Sequence, residues 1–217
     1  MKPLPLDQVA VLIPAAGRGE RLGLGPKAQL CLGGRPILDW VVDKARQVGD
    51  QILVACAPGA AAPPGCTRID GGPSRQDSVL RLVRAADRPW VVIWDAARPF
   101  GSVQLARAVL EAARTTGAAG AFLASEVPVA VIEAGRVTQS LPAAGTALYQ
   151  TPQACAHGPL LAAMESAAAQ RVSVQSVLEL MMKAGNVVRA VPGEKLNIKL
   201  TTAEDWRFAQ SLVDQLA

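Results

Sequence analysis

The sequence predicts an α/β fold, a mostly parallel sheet with helices on both faces, and two observations predict it. Strand-like and helix-like periods alternate from the first segment onward, and the strands are near-continuous apolar runs rather than alternating ones. Strands of that kind are buried on both sides, as in parallel sheets sandwiched between helices. At 217 residues, half of them hydrophobic, the chain is expected to form a single domain, residues 1–217, around one substantial core.

The elements follow in order. Val9 to Ile13 reads as a buried strand ending at Pro14. Pro36 opens a helix whose apolar positions Ile37, Leu38, Val41, Val42, Ala45 and Val48 fall on one stripe, with Gly49 as its stop. A strand at 52–56, a turn-rich connection at 57–66 and a short strand at 68–70 come next. Ser74 and Asp77 have the spacing of a capping box, ahead of a helix carrying Val79, Leu80, Leu82 and Val83. An apolar strand at 90–94 runs into Asp95; a helix at 102–116 is closed by Gly117, and a strand at 120–124 follows.

Residues 125–150 break this rhythm. Short apolar runs and a hairpin turn at 133–136 predict an extended arm leaving the sheet. Its Val127, Val129, Val131 and Ile132 need cover, and a second subunit is one way to supply it. Helices near 159–169 and 173–184, strands at 187–191 and 196–200, and a helix from Thr202 to the end complete the reading.

Composition narrows the function classes. The first residues contain no apolar stretch long enough for a signal peptide, and no later run has the roughly 18 residues of a membrane helix, so a cytoplasmic protein is expected. Cys31, Cys56, Cys66 and Cys155 show no C-x-x-C pair and read as buried free thiols. His157 is the only histidine, which speaks against triad chemistry and histidine-rich metal sites and leaves it a structural role. The net charge of +4 is dispersed along the chain, which argues against nucleic-acid binding and leaves anionic small molecules open.

The chemistry-bearing segment is VLIPAAGRGERLGLGPKAQLCLGG, 11–34. Glycines after a strand let backbone N–H groups turn toward an anion. The spacing is not that of a Walker loop, since Lys27 lies between Pro26 and Ala28, and Gly23 falls one residue late for a dinucleotide fingerprint. A triphosphate with about three to four negative charges is the better match for this loop, with Arg21 offering a fork and Lys27 a point charge. Ligands of open α/β sheets sit beyond the carboxyl ends of the strands. That rule brings 14–27, 70–78 and 95–99 to one edge.

Five motifs occur in series: PAAGxGxRLGxGPK (14–27), DGGxxRxDSV (70–79), DAARPF (95–100), QTPQ (150–153) and NIKLTxxED (197–205). Together they resemble the 2-C-methyl-D-erythritol 4-phosphate cytidylyltransferase family. The resemblance implies a Rossmann-like nucleotidyltransferase fold, CTP and a phosphorylated polyol as substrates, Mg²⁺ as cofactor, and a homodimer in which the arms reach across the interface. Carried over, it makes Pro14, Ala15, Ala16, Gly17, Gly19, Gly72 and Ser78 CTP-binding and puts Arg21, Lys27 and Lys199 around the reacting phosphate. Asp95 and Arg98 are implied on the acceptor side, with Asp95 also implied near the metal.

The chain departs from the family pattern in the arm. Val129-Ala130 stands where the family carries Asp-Thr, and Ala143-Ala144 where it carries an arginine. An acidic T-D-D/E signature is replaced by Ser173 to Ser176. A cytidylyltransferase for another polyol phosphate or phosphonate, or a catalytically silent CTP-binding homologue, therefore stands beside the leading expectation, and a guanylyltransferase is disfavoured by DAARP and NIKLT.

Overall fold

The computed structural model describes residues 4–17, 19, 28 and 30–216. A seven-stranded sheet forms its centre, built from β1 (Val9–Pro14), β4 (Gln51–Cys56), β5 (Thr67–Asp70), β6 (Trp90–Ile93), β7 (Ala118–Ala124), β10 (Ala147–Ala156) and β11 (Val188–Pro192). The spatial order is β11-β7-β10-β6-β1-β4-β5. Strand β10 runs antiparallel to both its neighbours, and every other pairing in this sheet is parallel. The expected α/β class and mostly parallel sheet are thus observed.

Side-chain alternation explains how the sheet is covered. Val9, Val11 and Ile13 of β1 point into one cluster with α1 (Ile37–Ala45) and α3 (Val103–Thr116). Ala10 and Leu12 point into the opposite cluster, with α2 (Arg75–Ala85), α4 (His157–Ala169) and α5 (Val177–Lys183). Residues on both faces are apolar because both faces are covered. A third, smaller cluster joins Leu32, Ile37, Phe100 and Leu200 to Ala209 of α6 (Ala203–Ser211) and to Leu216. Leu32 belongs to β2 (Cys31–Leu32), which pairs with β3 (Arg35–Pro36) in a small hairpin.

Local signals behave as expected at the helix ends. Ser74 and Asp77 form a reciprocal capping box on α2, and Gly117 closes α3 in the left-handed region at φ 88°. The lone histidine is structural in this fold, its Nε2 lying 2.8 Å from the carbonyl of Val83.

The arm is a two-stranded hairpin, β8 (Val129–Glu133) paired with β9 (Arg136–Leu141). Ala134 and Gly135 turn it, both at positive φ (49° and 76°), as a tight two-residue hairpin turn demands. Val127, Ile132 and Val137 are exposed.

Five expectations need correction. Residues 147–150, assigned to the arm, begin β10 in the central sheet. The expected strand at 196–200 is irregular: Asn197 N donates to Glu194 O, Ile198 N to Leu196 O and Leu200 N to Ala97 O, so its amides serve turns and loop contacts. The last helix stops at Ser211 and is followed by a 3-10 turn, Val213–Gln215, while α5 starts at Val177 rather than 173. Cys56 and Cys155 are buried, but Cys31 is exposed and Cys66 only partly covered; no disulfide joins them.

Candidate active site

At the carboxyl edge of β1, β4, β5 and β6 lies an open cleft of about 860 Å³. It is lined by Pro14, Ala15, Ala16, Gly17 and Gly19 after β1, by 71–75, Ser78 and Arg81 around the start of α2, by Asp95 to Ala97 after β6, and by Lys199 and Thr201. The four segments come from far apart in the sequence and meet because parallel strands all end on the same side.

Packing fixes the loop after β5. Gly71 N donates to Cys56 O at 2.9 Å, and a Cβ on Gly71 would come within 2.2 Å of the Ala16 Cβ. A Cβ on Gly72 would meet that of Asp77 at 2.3 Å. Neither position has room for a side chain, so the glycines let this loop close on both the glycine-rich segment and α2. Ser78 is buried and its hydroxyl is engaged: it accepts from Gly72 N at 3.0 Å and donates to Ser74 O at 2.9 Å. These bonds hold the wall of the cleft in shape.

The charge in the cleft is arranged around one carboxylate. Asp95 is 6% exposed. Its Oδ1 receives Arg75 Nη2 at 2.7 Å and Nε at 3.0 Å, and its Oδ2 lies 2.8 Å from Lys199 Nζ. Burial by itself would raise the Asp95 pKa; the guanidinium of Arg75 and the ammonium of Lys199 outweigh it and hold the carboxyl well below its ordinary range. Among the described lining residues Arg75, Arg81 and Lys199 are cationic against this single carboxylate, so the cleft favours an anion.

Beneath Lys199 lies a buried polar lattice. Asn197 Nδ2 donates to Thr151 O at 2.8 Å and Gln150 Nε2 to Glu194 O at 2.9 Å, while Glu194 N donates to Gln150 Oε1 at 3.1 Å. Thr151 Oγ1 accepts from Asp95 N at 3.0 Å. The QTPQ and NIKL segments thus form one scaffold, carrying Lys199 on its rim beside Asp95. Buried polar groups without partners are costly, so near-complete bonding here specifies one conformation.

Arg98 departs from expectation. It does not line the cleft; it is buried, with Nη1 donating to Asn197 O and Nη2 to Tyr149 O. Its guanidinium ties the root of β10 to the Lys199 segment. Burial also lowers its pKa, against the raising influence of Asp95.

The metal assignment of Asp95 does not fit either. Both its oxygens face cations, and no group of three potential metal-binding side chains occurs among the described residues. A dication on Asp95 would lie between two positive charges.

Arg21 and Lys27 lie outside the described residues; Gly19 and Ala28, on either side of that segment, both line the cleft. Sequence reasoning missed Arg75, although it is the arginine of the DGGxxRxDSV motif.

Comparison with known proteins places the chain in a family. The family model described as IspD, 2-C-methyl-D-erythritol 4-phosphate cytidylyltransferase, matches residues 9–215. The chain is 39% identical to the enzyme of that name from Thermus thermophilus over 207 residues, covering 94% of this chain and 97% of the relative. It is 38% identical to the Deinococcus radiodurans enzyme, covering 94% and 89%. A crystal structure of the Thermus thermophilus cytidylyltransferase superimposes with a TM-score of 0.85 at 36% identity, covering 95% of this chain and 99% of that one. The Francisella tularensis structure gives 0.82 at 26%, covering 94% and 99%. With a match that runs almost end to end, the chain belongs to the 2-C-methyl-D-erythritol 4-phosphate cytidylyltransferase family.

Proposed function

We propose that the protein transfers the cytidylyl group of CTP to 2-C-methyl-D-erythritol 4-phosphate and releases pyrophosphate. The observation that carries this reading is the convergence on one cleft of residues from four of the five motifs, Gly17, Gly72, Asp95 and Lys199 among them, with the fifth, QTPQ, scaffolding Lys199 from below.

In this reaction an acceptor phosphate oxygen attacks the α-phosphorus, a new P–O bond forms, and the bond to the β-phosphate bridging oxygen breaks. The acceptor phosphate, with a second pKa of about 6, is largely ionised near neutral pH. No strong general base is needed, in keeping with the absence of an imidazole from the described lining of the cleft. The residues 14–17 and 71–72 form a close-fitting wall for the nucleotide, and Ser78 keeps that wall in register. Lys199 supplies positive charge where negative charge develops on the phosphorus oxygens. Arg21 and Lys27 are proposed to join it, on the family resemblance and on their nearness in sequence to Gly19 and Ala28.

Magnesium is proposed as the counter-ion of the triphosphate, entering with the substrate, with no protein ligand assigned. Residues 1–217 are read as one nucleotidyltransferase domain with the arm as a projection. The exposed Val127, Ile132 and Val137 support a homodimer as the working unit. No helix among the described residues is long and apolar enough to cross a membrane, and a cytoplasmic setting is proposed.

The test is pyrophosphate release from CTP and Mg²⁺ with a panel of acceptors. Turnover with 2-C-methyl-D-erythritol 4-phosphate is expected. Turnover only with ribitol phosphate or an aminoalkylphosphonate, or tight CTP binding with no turnover on any acceptor, would overturn the acceptor assignment. Those outcomes matter because Val129-Ala130 and Ala143-Ala144 replace polar positions of the family pattern.

A further inference from the structure

We infer that Arg75 is a positioning residue that acts on the reaction through Asp95 and Lys199; this rests on the cytidylyl-transfer reading above. The carboxylate of Asp95 is divided between two cations. Arg75 spends two nitrogens, Nη2 at 2.7 Å and Nε at 3.0 Å, on Oδ1 alone, which leaves Oδ2 for the Lys199 ammonium at 2.8 Å.

Each member of this relay is held by its own part of the fold. Arg75 is the first residue of α2, directly after the capping Ser74. The Asp95 backbone is pinned by Thr151 Oγ1. Lys199 sits between Ile198 and Leu200, which pack in the third hydrophobic cluster, and Leu200 N donates to Ala97 O at 2.9 Å. The three side chains come from three separate segments and meet at the cleft wall.

The physical consequence concerns where the Lys199 charge is spent. A buried carboxylate with one cationic partner draws that partner in strongly, because each takes the place of the other's lost water. Arg75 supplies a second partner in a fixed fork, so the carboxylate is compensated without the full charge of Lys199. Lys199 lies at the cleft wall with its side chain 39% exposed, and its ammonium is then free to exchange onto an arriving phosphate. Without Arg75, Asp95 retains Lys199 and the phosphate loses it.

The test compares wild type with Arg75→Met, Arg75→Lys, Lys199→Met and the double variant Arg75→Met/Lys199→Met. Loss of a charged hydrogen bond of this kind corresponds to about tenfold to a hundredfold. That loss is expected in kcat for Arg75→Met, with the KM for CTP changed less than about threefold, and partial recovery in Arg75→Lys. The double variant should be no slower than Lys199→Met alone. A rise in KM for CTP at constant kcat, or multiplicative losses in the double variant, would overturn the inference.

A readout without turnover separates this inference from the functional reading. In ligand-free protein with ¹³C-labelled lysine, the Lys199 ε-carbon resonance, assigned by its loss in Lys199→Met, should move in Arg75→Lys and Arg75→Met. It should stay in place in Arg88→Met, whose arginine pairs with Asp50 and Asp87 on the surface. An unmoved resonance sinks the relay. A moved resonance in a wild type that releases no pyrophosphate sinks the assigned reaction and leaves the relay standing.

Discussion

The lattice under Lys199 and the hairpin arm are both rich in residues that sequence patterns pick out, yet they use them in opposite ways. In the lattice Gln150, Thr151, Asn197 and Arg98 are buried, and most of their polar atoms bond to backbone carbonyls and amides, Arg98 Nε and Asn197 Oδ1 being the two left without a partner among the described residues. In the arm Val127, Ile132 and Val137 are each about two-thirds exposed, at 66%, 65% and 67%. Polar side chains inside and apolar side chains outside are both departures from ordinary burial. The first is stabilised within the chain, whereas the second calls for a surface the chain itself does not supply.

The contrast can be broken most directly at Lys199. Lys199→Ala should reduce pyrophosphate release by about a hundredfold to a thousandfold, the range for removing one preorganised donor from a developing charge. CTP binding by calorimetry should survive. A rate within a few-fold of wild type would remove Lys199 from the chemistry.

Disturbing the scaffold should have the next largest effect. Asn197→Ala leaves Thr151 O and a buried neighbourhood short of a donor, at about 1–3 kcal/mol per unsatisfied group. For a chain of this size that is roughly 2–4 °C of melting temperature per kcal/mol, and turnover should fall with it because Lys199 loses its seat. Thermal melting alongside kinetics checks this; a lower Tm with unchanged kcat would separate the scaffold from the catalytic group.

Acid titration gives a smaller, signed effect. The folded-state pKa of Asp95 is held below its ordinary 3.8, so the folded state binds fewer protons than the unfolded state there. Its stabilisation is fully present above about pH 4 and is lost as the pH falls through the folded-state value. Between about pH 4 and pH 2 the Tm of the wild type should therefore drop more steeply than that of Asp95→Asn. Parallel curves would contradict the ion-pair account.

The arm should show the smallest change in monomer stability. Ile132→Ser is expected to alter unfolding free energy by no more than about 0.5 kcal/mol, as for an exposed position. It should nevertheless shift sedimentation toward monomer if a second copy covers this face. An unchanged assembly would reassign the exposed valines.

Legibility from sequence follows the same divide. Apolar periodicity identified β1, β4, β6 and the helices because burial on both faces imposes it. It failed at β10, where Tyr149-Gln150-Thr151-Pro152-Gln153 is polar and proline-broken although it pairs with two strands around an irregularity. Ile198-Lys199-Leu200 alternates like a strand, yet the amides of Ile198 and Leu200 bond outside the sheet ladder. Arg75 was in plain view but unassigned because its partner lies twenty residues on, in the loop after another strand. The burial of Arg98 was equally illegible, because it depends on Asn197 and Tyr149, far along the chain. Local patterns report local periods; long-range pairs must be seen folded.

The claim on which all of this turns is that the nucleotide occupies the cleft at the carboxyl edge of the parallel strands. Amide hydrogen exchange with and without CTP and Mg²⁺ tests it most directly. Added protection at 15–17 and 71–78, with the hairpin at 129–141 unaffected by the nucleotide alone, is the expected result. Protection confined to the hairpin, or none in either place at saturating CTP, would contradict it.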